Sequence, residues 1–177
     1  MKFISKFFRC IFLLLAFTIP LGISAKSATA YTGQIRFDHL TVEDGLSQSS
    51  VWAIVQDAQG FLWFGTEEGL NRYDGFGFEI FKHDPQNPNS LQSNVITTLT
   101  VDRQGDLWIG TTTGLDRYRI NANEFDHFPL LDTDREGLWG TTVENIYPDE
   151  NGWVWVATQN GGLNRLNPAS GEVIHFM

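Results

Sequence analysis

One stretch, Val51 to Tyr73 (VWAIVQDAQGFLWFGTEEGLNRY), recurs twice more along this chain, and that recurrence constrains the fold more than any other feature. Its skeleton is Asp57, Gly60, Trp63, Gly65, Thr66, Gly69, Leu70, Arg72 and Tyr73. The second copy has Asp102, Gly105, Trp108, Gly110, Thr111, Gly114, Leu115, Arg117 and Tyr118. The third runs Asp149, Gly152, Trp155, Ala157, Thr158, Gly162, Leu163 and Arg165, with one extra residue before Gly162 and Leu166 in place of Tyr. The tryptophans of the three copies stand 45 and 47 residues apart. Periods of that size, filled with short apolar runs punctuated by Gly, Asp and Asn, are what the blades of a β-propeller leave in a sequence.

Each copy reads as four antiparallel strands. Leu46, Val51 and Ile54 lead into Asp57 with a spacing kept at Leu91, Ile96 and Leu99 and again at Leu138, Val143 and Ile146, which predicts the first strand. The Asp-x-x-Gly that follows is a hairpin corner, where the Asp side chain bonds nearby N–H groups and Gly takes the positive φ. Leu62-Trp63-Phe64, Leu107-Trp108-Ile109 and Val154-Trp155-Val156 are apolar on both faces, as strands sandwiched between neighbouring blades must be. A third strand carries the Leu-x-Arg, and a fourth ends in Phe81, Phe128 or Phe176. The expected fold is all-β, with blades over about 46–81, 91–128 and 138–176. Phe37-Asp38-His39-Leu40 matches the fourth strand without inner strands before it, so it reads as an outer strand that closes a later blade. Three blades make an incomplete propeller, since closed rings have about 4 to 8. The chain is therefore expected to be the N-terminal part of a longer protein.

Residues 1–30 read as a signal peptide, with Lys2, Lys6 and Arg9 ahead of an apolar run from Cys10 to Ile23 and a small-residue cleavage site at Ala28-Thr29-Ala30. The apolar run is shorter than the roughly 20 residues a spanning helix needs. All 21 acidic residues but only 8 of the 12 basic ones lie beyond residue 30, giving 31–177 a net charge of 8 − 21 = −13. Such a surface repels nucleic acid and anionic lipid. The single cysteine, Cys10, lies in the signal region, so no disulfide framework is expected.

The segments GFLWFGTEEGLNRYDG, DLWIGTTTGLDRY and TVEDGLSQSSVWAIVQD resemble the two-component regulator propeller repeats, and the resemblance extends from Phe37 to Phe176. It implies the periplasmic input region of a hybrid histidine kinase or membrane diguanylate cyclase, anchored in the inner membrane and normally completed by further blades and output domains. It also implies an oligo- or polysaccharide fragment as ligand and a homodimeric parent.

No catalytic residue, metal site or cofactor is expected. Asp57, Asp102 and Asp149 are explained by their turns, and Arg72, Arg117 and Arg165 by contacts from blade to blade. His39, His127 and His175 share one repeat position and read as solvent-facing strand residues, while His83 has no partner by spacing. Trp63, Trp108 and Trp155 repeat and are assigned to the core. Trp52, Trp139 and Trp153 do not repeat, which makes them the candidates for stacking on a sugar ring. Other readings of the chain are an exported propeller lyase or glycosidase acting on polysaccharide, and a non-catalytic protein-binding propeller.

Overall fold

The computed structural model describes residues 37–131 and 137–176. The signal-peptide reading, and Arg135 and Glu136 beside Trp139, fall outside the described residues. All assigned elements belong to one unit, Asp38–Met177. A turn of 3-10 helix, Val42–Asp44, is capped by Thr41, whose hydroxyl accepts from the Glu43 N–H, and leads into the first blade.

Three antiparallel meanders follow. The first is β1 (Val51–Gln56), β2 (Leu62–Thr66), β3 (Gly69–Tyr73) and β4 (Phe78–Phe81). The second is β5 (Ile96–Val101), β6 (Leu107–Thr111), β7 (Gly114–Arg119) and β8 (Glu124–Leu131), extended by a two-residue β9 (Leu138–Trp139) that pairs parallel to the end of β8. The third is β10 (Val143–Pro148), β11 (Val154–Thr158), β12 (Gly162–Leu166) and β13 (Val173–Phe176). The first strands are neighbours, β5 lying against both β1 and β10. The blades are thus stacked side by side with their first strands innermost, in an open propeller.

Two sequence expectations shift here. The first strands begin at Val51, Ile96 and Val143, five residues after Leu46, Leu91 and Leu138. Those leucines are buried, Leu46 and Leu91 on the approach loops of blades one and two and Leu138 in β9 ahead of blade three, with Leu91 and Leu138 in the core layers. The sheet of blade two has five strands rather than four. Residues 37–40 form no strand. A strand exists only as part of a ladder, and the later blade that this segment is expected to close is not among the described residues.

The core is two apolar layers, each pressed between successive blades. Trp63, Leu70, Leu91, Ile96, Leu107, Ile109 and Tyr118 fill the first, and Trp108, Leu115, Leu138, Val143, Ile146, Val154, Val156 and Leu166 the second. Each aliphatic side chain fully buried in this way is worth about 1.5–3 kcal/mol. Gly65 and Gly110 allow the blades to close on one another. A Cβ on Gly65 would stand 2.6 Å from Cγ2 of Ile96, and one on Gly110 2.7 Å from Cγ1 of Val143. The equivalent position of blade three is Ala157, which has no further blade beside it among the described residues. For the same reason Trp155, expected in the core, is only half-buried, whereas Trp63 and Trp108 are almost fully enclosed.

Candidate ligand-binding site

The repeated polar residues are consumed by the scaffold. Asp57 accepts from the N–H groups of Gln59 and Phe61 at 2.9 and 3.0 Å through one oxygen, and from the Trp63 indole N–H at 2.8 Å through the other. Asp102 and Asp149 repeat this arrangement with Trp108 and Trp155. The turn role was legible in the spacing. The indole bond, which ties each corner to the large ring of the next strand, was not.

The arginines act within blades, not between them. Arg72 pairs with Glu79 at 2.5 Å, Arg117 with Asp126 at 2.8 Å and Arg165 with Asp149 at 3.2 Å. Each guanidinium also lies over the tryptophan of its own blade, 5.7, 5.5 and 5.1 Å from Trp63, Trp108 and Trp155. Cross-strand pairing, Trp63 with Arg72 and Arg72 with Glu79, sets that stack on one face of one sheet.

A second repeated device escaped the sequence reading. Asn71, Asp116 and Asn164 occupy one position of the third strands and are completely buried. Each side-chain oxygen accepts the backbone N–H of the approach loop, from Ser47 at 2.8 Å, Gln92 at 3.0 Å and Trp139 at 3.0 Å. The signal was present between Leu and Arg in every copy, hidden by the Asn-to-Asp change. The histidines turn out to serve this device. His127 Nδ1 stands 2.7 Å from Asp116 and Nε2 2.9 Å from the Pro88 carbonyl, while His175 Nδ1 stands 2.8 Å from Asn164. His83 meets the Leu91 carbonyl at 2.6 Å. His127 is half-buried as a result, whereas His83 and His175 remain exposed, the latter as expected of a solvent-facing strand residue.

The three non-repeating tryptophans fall in different places. Trp139 is held by its backbone, which also accepts from Thr158 and Asn164, and its ring meets His175 edge-on at 6.1 Å. It is a half-buried strand residue rather than a loop tip. Trp52 is exposed at a bulge between Val51 and Ala53, and the same bulge recurs in β5 and β10. The Thr97 hydroxyl, at the matching position, donates to the Val143 carbonyl at 2.5 Å.

Trp153 lines a cleft of about 180 Å³ between the hairpin corners of blades two and three, together with Gln104, Asp106, Trp108, Arg117 and Pro148. The cleft has a cause in the repeat. Phe61 and Trp153 occupy one repeat position, and each ring lies under the arginine of its blade, at 4.9 Å from Arg72 and 4.5 Å from Arg165. Blade two has Asp106 there, so Arg117 meets the ring of Trp108 but has no second ring from that position. Burial, and then the neighbouring Asp102, push the Asp106 carboxyl above the ordinary carboxylate range, against the pull of Arg117.

Residues 45–68, 90–113 and 137–160 match the family described as two component regulator propeller. These are two-component regulator propeller repeats. The chain is 33% identical to the extracellular domain of a hybrid two-component system from B. thetaiotaomicron, with a TM-score of 0.72 over 78% of this chain and 20% of that one. It is also 45% identical over 67 residues to histidine kinase P4 of Formosa agariphila, a match that spans 38% of this chain and 5% of the kinase. The chain thus spans a small fraction of the relatives it matches. Its propeller is like the extracellular regions of two-component sensors.

Proposed function

We propose that this propeller is part of the periplasmic sensor of a two-component receptor, that it takes up an oligo- or polysaccharide fragment, and that further blades of the same longer chain cover its open faces. The observation that carries the reading is the 33% identity to a two-component extracellular domain across most of this chain. The exposed apolar surface supports it. On the free face of blade three Tyr147, Leu163 and Phe176 are 64%, 36% and 44% exposed, where the first blade's Leu70 at the Leu163 position is fully buried. On the free face of blade one Ile54 is 63% exposed, against 6% for Ile146 at the same repeat position. Apolar rows of this kind mark a surface meant to be covered.

In this reading the propeller is an input module without catalysis of its own. Ligand binding on a rigid propeller biases the packing of a receptor dimer, and the signal passes through the inner membrane to a kinase or cyclase domain. Autophosphorylation or cyclase output of the full receptor in membrane vesicles, measured against a broad oligosaccharide panel, tests it. A response to at least one sugar is expected; no response to any, together with unchanged tryptophan fluorescence, would remove the sensing role.

A further inference from the structure

The geometry points to the cleft between blades two and three as the seat for one ring of a neutral or amino sugar, with Trp153 as its stacking wall and Asp106 as acceptor for its hydroxyl or ammonium groups. This deepens, and rests on, the reading of the propeller as a sugar sensor. Four observations carry it.

The first is that the cleft lies where the repeat is broken. The ring that packs against arginine in the other two blades is replaced by a carboxylate, at a cost in packing that the blade's own architecture does not call for. The second is that Asp106 is half-buried, yet its carboxylate accepts no hydrogen bond from the described residues. A carboxylate offers about four acceptor sites, so these remain for water or a ligand. Asp102 and Asp149, by contrast, are spent on their turns and indoles.

The third observation is shape. Trp153 and Pro148 bring apolar surface to the lining that also holds the carboxylate, and a sugar ring has a matching mixed character, C–H groups on a face and hydroxyls at the edge. The corners that frame the cleft are joined by an ion pair between Arg103 and Glu150. At about 180 Å³ the space is smaller than the roughly 300 Å³ of sites that engulf a drug-sized ligand. It admits one unit of a longer chain whose other units lie in solvent.

The fourth is charge. Asp149 in the lining is paired with Arg165 and Arg117 with Asp126, which leaves Asp102 and Asp106 as the cleft's uncompensated carboxylates. Uronate and sulfated sugars are repelled by such a lining. A metal ion is a poorer occupant, since the described residues contain no group of three or more His, Cys, Asp or Glu placed to hold one.

The test is calorimetric titration of the full chain with cellohexaose, mannohexaose and chitosan hexamer, and with oligogalacturonate as the anionic counterpart, repeated on Asp106→Phe and Trp153→Leu. Asp106→Phe restores the ring of blade one and fills the cleft, so it is expected to keep the fold while binding falls at least tenfold. Circular dichroism verifies that fold, and Asp106→Asn, which keeps the shape, serves as the second variant. Binding of a neutral or amino sugar at least tenfold tighter than oligogalacturonate, lost in Asp106→Phe and weakened in Trp153→Leu, is the expected result. Sugar binding unchanged in both variants would overturn the cleft and leave the sensor reading standing. Preference for oligogalacturonate would overturn the charge class. Failure of the unaltered chain to bind any of the sugars would count against the sensor reading itself.

Discussion

At the scale of single residues, the chain separates side chains that build the repeat from those that depart from it. Asp57 ties its corner to Trp63 with three hydrogen bonds, one of them buried. Asp57→Ala strands the indole N–H in the core, which costs about 1–3 kcal/mol for the unsatisfied donor alone. Urea denaturation reads this as a lowered midpoint, and an unchanged midpoint would show the bond to be incidental. Gly110 makes a sharper case, because a Cβ there would press on both Cγ2 of Thr98 at 2.5 Å and Cγ1 of Val143. Overpacking of this kind costs roughly 1–3 kcal/mol. Gly110→Ala is therefore expected to destabilise the chain by that amount, while Ala157→Gly, at the same repeat position without a blade beside it, is expected to cost less than 1 kcal/mol or so.

At the scale of elements, the approach loops are pinned to the third strands by Asn71, Asp116 and Asn164, and blade two adds His127 to the pin. The two ring nitrogens of His127 face a carboxylate and a carbonyl, both obligate acceptors, so the geometry suits the doubly protonated ring. The hydrogen bond that His127 donates to Asp116 raises its pKa above the ordinary histidine value, outweighing the opposing effect of burial, and the Pro88 carbonyl adds to the rise. A group whose folded pKa is raised contributes stability that is complete below its unfolded pKa, about 6.5, and lost as pH climbs through the folded value. Thermal stability is thus expected to decline as pH rises above about 6.5, and the decline is expected to flatten in His127→Gln. A melting temperature independent of pH in that window would show that the ring is not charged in the folded protein.

Much of this element-level order was legible in the sequence, for a physical reason. Strand two must be apolar on both faces because blades cover it on both sides, and a hairpin corner needs Asp and Gly at fixed offsets; both demands leave a period. What was not legible depends on where side chains turn after the sheet forms. Arg72, Arg117 and Arg165 were expected to bridge blades, but each finds its acidic partner within its own blade. His127 was expected to face solvent from its shared repeat position, while the buried Asp116 beside it draws the ring half inward; His175, at the same position, stays exposed. Trp153 stands out in the sequence as a non-repeating aromatic, whereas Asp106, at the same repeat position of blade two, looks like an ordinary surface acid. The vacancy left by the missing ring matters as much as the ring itself.

At the scale of the molecule, three blades side by side leave two sheet faces with exposed apolar side chains. Trp155, Leu163 and Phe176 line one of them, on positions that neighbouring blades enclose elsewhere in the chain. The reading of this propeller as a section of a larger sensor rests on those faces and on the likeness to two-component extracellular domains. Sedimentation velocity on residues 31–177 alone, over a range of concentrations, tests it most directly. The account predicts concentration-dependent association through the bare faces, relieved when Leu163 and Phe176 are replaced by glutamate. A stable, well-folded monomer of the unaltered chain at all concentrations would contradict it.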